Sequence, residues 1–180
     1  YVNLAGILNK LNLFTEATHA SKKAIQISPT LAEAWNNLSI SLGRLNQNKE
    51  ALDAAREAIK LNQDINWLLG GIVYLQLKIC DWRSLGTQTR RLAIDIENGR
   101  TSSEPIVMLS VSSVAETQKK CASIYSNALY LNDNPIPPQY ANRKIRVGYV
   151  SSDFGTHAVS FLIIGLIEYH NRDKFEIYGY

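Results

Sequence analysis

Apolar residues in the first half of the chain recur at helical spacing, and polar clusters interrupt them at regular intervals. Leu4, Leu8 and Leu11 share one helical face, as do Ala17, Ala20 and Ala24, then Leu38, Leu42 and Leu45, then Ala51, Ala54 and Ala58. Recurrence at i, i+3 and i+4 predicts amphipathic helices, and breaks are expected near 12–14, 28–30, 46–48 and 62–64, where Asn, Ser, Pro and Asp gather. Asn66 to Ile79 predicts a further helix, with Trp67, Leu68, Ile72, Leu75 and Ile79 as its apolar positions. Asp81 is placed to cap a helix from Trp82 to about Glu97, which Gly99 would stop. Thr101 to Ser113 contains Pro105 and a short apolar run, and it breaks the helical rhythm. Ser113-Val-Ala-Glu116 then reads as a capping box opening a helix to about Tyr130.

The grammar changes after that helix. Asn132 to Pro138 has three prolines in four positions, which is a linker by composition, and a domain boundary is expected there. Ile145, Val147 and Tyr149 alternate with Arg146 and Gly148, as in a strand. Ser151 to Thr156 is a polar turn. Ala158 to His170 is apolar nearly all round, so a helix buried against a sheet and another layer is expected; Asn171-Arg-Asp173 ends it. Lys174 to Tyr180 alternates again as a second strand. Strand, loop, helix, strand is the opening of an α/β lobe, which binds ligands at the carboxyl ends of its strands and so puts Ser151 to His157 at the functional edge.

Offsetting the sequence against itself by 34 residues gives ten identities: Asn3/Asn37, Leu4/Leu38, Leu8/Leu42, Leu11/Leu45, Asn12/Asn46, Glu16/Glu50, Ala17/Ala51, Ala20/Ala54, Ala24/Ala58 and Ile25/Ile59. That period, with Trp35, Leu38, Leu42, Ala51, Ala58 and Pro29 at the signature positions, resembles the tetratricopeptide repeat, in which each unit is a pair of antiparallel helices. Two such units cannot form a stable solenoid alone, so the chain reads as a piece of a longer array containing its C-terminal end. Asn3 and Asn37 occupy one repeat position on the inner face, where a carboxamide can both donate to and accept from a peptide backbone. They are candidate acceptor-binding residues; the alternative is a polar residue on a solvated helix.

Nineteen basic against sixteen acidic residues leave a net charge of +3, with the basic ones scattered, which argues against a nucleic-acid surface. The longest apolar run, Ala158 to Ile167, is about half of the roughly 20 residues a membrane helix needs. Cys80 and Cys121 lack the spacing of a metal site or a disulfide framework, so a cytoplasmic setting with no metal is expected.

The loop after the first strand fits neither GxGxxG nor GxxxxGK[ST], since Gly148 and Gly155 are seven apart. It carries one imidazole, His157, beside a helix start. That side chain is a candidate general base, a role worth about 10²–10⁴ in rate, the dipole favouring its neutral form; the alternative is a structural histidine. Asp153 and Thr156 read as helix caps, and His170 as a residue accounted for by a helix C-terminus.

These repeats, Cys80-Asp81-Trp82, the proline linker and Lys144-Ile-Arg-Val-Gly-Tyr-Val-Ser-Ser-Asp-Phe-Gly-Thr-His157 together resemble the SPINDLY-like protein O-linked N-acetylglucosamine transferases. The resemblance implies tetratricopeptide repeats followed by the start of an α/β lobe of GT-B type. It implies an inverting enzyme that needs no cofactor or bound metal, with UDP-N-acetylglucosamine as donor and a protein or peptide Ser/Thr hydroxyl as acceptor. It also places His157 in the active site, where the matching histidine has been proposed as general base. The sequence departs at Ala158, where many members carry Pro, and at Phe161, where some carry a second histidine. The divisions are then 1–65 repeats, 66–130 degenerate or capping helices and connector, 131–143 linker, and 144–180 the truncated first lobe. The donor-binding lobe lies outside the sequence, so this piece alone is expected to be inactive and its donor-binding residues stay unassigned. A non-catalytic repeat scaffold and a GDP-fucose-dependent enzyme are the competing readings.

Overall fold

The computed structural model describes residues 1–130 and 143–180; the proline linker expected over 131–143 lies, apart from Arg143, outside the described residues. The chain divides into two units, Tyr1–Asp133 and Asn134–Tyr180.

In the first unit α1 (Val2–Lys10) and α2 (Phe14–Ile27) form one hairpin, and α3 (Ala32–Arg44) and α4 (Asn48–Leu61) repeat it. The periodic alanines are what permit this: Ala17, Ala51 and Ala58 are wholly buried, and Ala20, Ala24 and Ala54 nearly so. Their small side chains let helix backbones come close while Leu38, Leu42, Leu52, Leu68, Ile72 and Leu75 fill the space between. Each fully buried Leu or Ile side chain contributes about 1.5–3 kcal/mol.

A third hairpin follows, of α5 (Leu68–Lys78) and α6 (Leu85–Glu97). Its kinship is written in the backbone. Asn12, Asn46 and Cys80, spaced by the repeat length, all adopt left-handed conformations, with φ of 60°, 61° and 55°. In each case the next residue's N–H closes onto the carbonyl five residues before it: Leu13 onto Leu8, Gln47 onto Leu42, Asp81 onto Gln76. This is the Schellman closure, which satisfies carbonyls left open at a helix end. Gly99, at φ 76°, ends α6 in the same way, with Arg100 N–H on Asp95 O.

Asp81 does not cap a helix from Trp82. Helix α6 starts at Leu85, and Ser84 at its N-cap makes no side-chain cap bond. Instead the buried Asp81 carboxylate accepts from Arg83 Nε at 2.9 Å and from Arg56 of α4 at 3.1 Å. The two guanidiniums, Arg83 first, hold its pKa far below the ordinary carboxylate value. The same carboxylate also accepts from the Arg83 backbone N–H at 3.3 Å, but this holds the turn before α6 rather than a helix starting at Trp82.

The connector also differs from expectation. Residues 105–111 form a short helix, α7 (Pro105–Val111), because proline at the first helical position has a preset φ and no N–H to waste. Just before it, Thr101 and Ser102 carbonyls accept from the backbone N–H groups of Trp67 and Gly70 at 2.7 and 2.8 Å, so this strap caps α5. The capping box at Ser113 does not form either. Helix α8 (Ala115–Leu129) has Val114 at its N-cap without a side-chain cap bond, and Ser112 Oγ, one residue earlier than expected, accepts from Val114 N–H. A second core gathers Leu69, Val73, Leu92, Ile96, Val107, Met108 and Cys121, so α5 is shared between the repeats and the helices that follow. Lys120 of α8 donates to the last-turn carbonyl of Glu97 at 2.7 Å and pairs with its carboxylate, pulling that pKa down.

The second unit has β1 (Ile145–Tyr149), α9 (Ala158–Glu168) and β2 (Phe175–Gly179). The strands pair in parallel, Ile145 opposite Phe175 through Tyr149 opposite Gly179. Arg146 and Glu176, directly opposite, form an ion pair at 3.0 Å. Half-buried Ser160, Ile163, Gly165 and Ile167 mark the inward side of α9, and half-buried His170 follows just beyond its end. The expected burial on all sides is not met: no residue of α9 is buried, and Phe161 and Leu162 are 72% and 84% exposed. Two five-residue strands can cover only one face of such a helix. Among the described residues no helix is long and apolar enough to cross a membrane.

Candidate active site

The parallel β1–β2 pair ends in a loop that its own polar groups hold in shape. Ser151 N–H donates to Tyr180 O at 3.0 Å, and Tyr180 N–H to Tyr149 O at 2.8 Å, so the loop leaves from a fixed strand end. Ser151 Oγ accepts from Asp153 N–H at 3.1 Å. Ser160, one turn into α9, reaches back: its Oγ donates to Asp153 O and accepts from Gly155 N–H at 3.0 Å. Residues 153–155 are thereby fastened to the helix they precede. Phe154 lies against Gly179, where an added Cβ would sit 3.8 Å from its ring.

His157 is the N-cap of α9, not Asp153 or Thr156. Its Nδ1 accepts from Val159 N–H at 3.2 Å. The imidazole takes the place usually held by a short hydroxyl or carboxylate because Ser160 has already drawn the Asp153 carbonyl inward. Asp153 Oδ1 accepts from Ser152 Oγ at 3.2 Å, while Oδ2 lies 3.7 Å from His157 Nδ1. His157 remains half exposed, at 53% of its side chain. With Nδ1 accepting, a neutral ring carries its proton on Nε2, so in this arrangement the outward nitrogen is a hydrogen-bond donor. Sequence reading singled out His157 but missed Ser160 as the clamp and the pairing of Asp153 with His157; their i, i+4 spacing was the available signal. His170 does more than sit at a helix end. Its Nε2 is 2.6 Å from Tyr149 Oη, and its ring lies 5.7 Å from Phe175, tying α9 to both strands.

The two asparagines part company. Asn37 is half-buried, and its Nδ2 donates to Val2 O at 3.2 Å, while its own carbonyl accepts from Asn9 Nδ2 at 3.1 Å. Among the described residues, Asn37 Oδ1 is left to accept from another group. Asn3 is exposed on α1. Asn3 and Asn37 belong to the first unit and His157 to the second.

Residues 115–180 match glycosyl transferase family 41, and residues 32–65 match the tetratricopeptide repeat. The chain therefore carries a tetratricopeptide match followed by a match to the glycosyl transferase family 41 model. Forty-six residues are 39% identical to the "Probable UDP-N-acetylglucosamine--peptide N-acetylglucosaminyltransferase SEC" of Arabidopsis thaliana; they make up 26% of this chain and 5% of that protein. A solved mutant O-GlcNAc transferase of Thermobaculum terrenum resembles 99% of this chain over 36% of its own length, at 18% identity and a TM-score of 0.52. At that identity the likeness shows the fold: helical repeats leading into the start of an α/β lobe of GT-B type. The chain thus spans about a third of the solved structure it resembles, and a small part of the plant protein. Its family 41 match begins with α8 and continues through the His157 loop to β2.

Proposed function

We propose that this chain is part of an inverting glycosyltransferase that moves N-acetylglucosamine from UDP to Ser or Thr hydroxyls of proteins. The observation that carries the reading is a family 41 match running through a loop that holds an exposed imidazole at the carboxyl end of a parallel strand. In this reading the repeats hold the polypeptide acceptor, with Asn3 and Asn37 offering carboxamides to its backbone. His157 stands beside the transferred sugar. The acceptor oxygen bonds to the anomeric carbon, the bond from that carbon to the phosphate oxygen of UDP breaks, and the hydroxyl proton passes to a base. The loop's own residues set where the imidazole stands: Ser160 and Ser151 fix the backbone, and α9 begins under the ring. The free thiols Cys80 and Cys121 accord with a cytoplasmic setting.

The experiment uses the whole protein that carries this sequence. His157→Ala is expected to reduce transfer to a Ser/Thr acceptor by roughly 10²–10⁴ while donor binding and folding persist. Unchanged transfer would refute the role of His157. Competition between UDP-N-acetylglucosamine and GDP-fucose identifies the donor, and protection by GDP-fucose alone overturns the N-acetylglucosamine assignment.

A further inference from the structure

Two groups compete for one nitrogen of His157, and they require opposite placements of its proton. Val159 N–H donates to Nδ1 at 3.2 Å, which needs a lone pair there and leaves the proton on Nε2. The Asp153 carboxylate, with Oδ2 3.7 Å from the same Nδ1, can only accept, and so favours Nδ1–H and a bare Nε2. We propose that Asp153 is a positioning residue that switches His157 between a helix cap and a base. This deepens the glycosyl-transfer reading and rests on it for its consequence.

The chemistry separates the two states. A cap-state imidazole already carries hydrogen on its outward nitrogen and cannot take a proton from an acceptor hydroxyl. Turned from Val159 to Asp153, the ring offers Nε2 as a lone pair. The hydroxyl proton then moves to Nε2, the oxygen bonds to the anomeric carbon, and the electron pair of the broken carbon–oxygen bond leaves with UDP. The resulting imidazolium keeps Nδ1–H on Asp153. A cation at the start of α9 is opposed by the helix dipole, and the carboxylate four residues before it offsets that opposition. The loop is built to keep the carboxylate there. Ser151 Oγ holds the Asp153 N–H, Ser160 Oγ holds its carbonyl, and Ser152 occupies Oδ1, which leaves Oδ2 for the ring.

The test reads the tautomer directly and needs no activity. Long-range ¹H–¹⁵N spectra of the three histidines are recorded above about pH 8, where an ordinary imidazole is neutral, for the whole chain, Asp153→Ala and Asp153→Asn. In the unmodified protein the His157 nitrogens are expected between the values of the two pure tautomers. Both variants shift them to the Nε2–H extreme, leave His19 and His170 in place, and slow Val159 amide exchange several-fold as the cap bond becomes permanent. Asp153→Asn keeps the side-chain shape, so it carries the test if the alanine variant disturbs the loop. Identical His157 nitrogen shifts in all three proteins, with Gly155 and Ser160 amides unchanged, would overturn the proposal. Failure of the glycosyl-transfer reading shows elsewhere, in the transfer assay, and leaves this measurement untouched.

Discussion

The Asn37 carboxamide donates across the helix contact to the Val2 carbonyl, joining the first helices of two successive repeats at 3.2 Å. Half of its hydrogen-bonding capacity is therefore structural, whereas the repeat-equivalent Asn3 is exposed. Asn37→Ala is expected to lower stability by about 1 kcal/mol, the usual worth of one such bond, and Asn3→Ala to leave it unchanged. Urea unfolding of both variants checks this. Under the proposed function both weaken acceptor binding, so an Asn3→Ala that binds acceptor normally while Asn37→Ala loses both would make the pair a packing device.

Gly70 has no room for a side chain. A Cβ there would stand 2.8 Å from Ser103 Cα, and Gly70 N–H is bonded to Ser102 O at 2.8 Å. Backbone cannot give way as a flexible side chain can. Gly70→Ala should destabilise the helical unit by about 1–3 kcal/mol, against the small gain alanine ordinarily brings to a helix. Gly71→Ala, with nothing within 4 Å, is the matched control and should be neutral or stabilising.

Cys80 holds a left-handed backbone at φ 55° where the two preceding repeats use asparagine. Such a conformation costs most L-residues about 1–2 kcal/mol, and asparagine less, because its short polar side chain bonds locally. Cys80→Asn is expected to raise stability by about 0.5–1 kcal/mol with no change in fold. Thermal melts of the single variant decide it, and a lowered midpoint would show that the thiol has a packing role.

Asp81 makes the helical unit sensitive to strong acid. Its folded pKa is held far below the unfolded value of about 3.9 by Arg83 and Arg56, so its contribution is fully present above the unfolded value and fades as pH falls through the folded one. Asp81→Asn should reduce stability at neutral pH and flatten the acid limb of the stability curve. Equal slopes for the two proteins between about pH 4 and pH 2 would show that the ion pairs do not carry that dependence.

Where the expectation from sequence missed, it missed because a signal was local and the outcome was not. The segment from Thr101 to Ser113 reads as a break in the helical rhythm, yet Pro105 opens α7 within it, since proline breaks a helix only from within. Ser113 and Glu116 had the spacing of a capping box, but the helix start is set by Val114, whose N–H is already held by Ser112 Oγ. Asp81 looked like a cap because sequence spacing cannot show that Arg56, 25 residues earlier, lies across from it. At the loop, His157 was visible as a lone imidazole before a helix. Its role as N-cap depended on Ser160 folding back onto residues 153–155, a contact that no periodicity announces.

What the sequence determined by itself was the repeat. A fixed period places small alanines and large leucines at matching points of each hairpin, and the same helix-end closure recurs at Asn12, Asn46 and Cys80 even after the side chain has changed. Periodic packing is a property of spacing, so it can be read without coordinates. Only the tertiary structure decided which polar atoms meet: Asp81 with two arginines, the Thr101–Ser103 strap with the start of α5, and His157 between Val159 and Asp153. Hydrogen bonds are short-ranged and directional, and whether a donor and an acceptor lie within 3.5 Å depends on how the backbone has already folded.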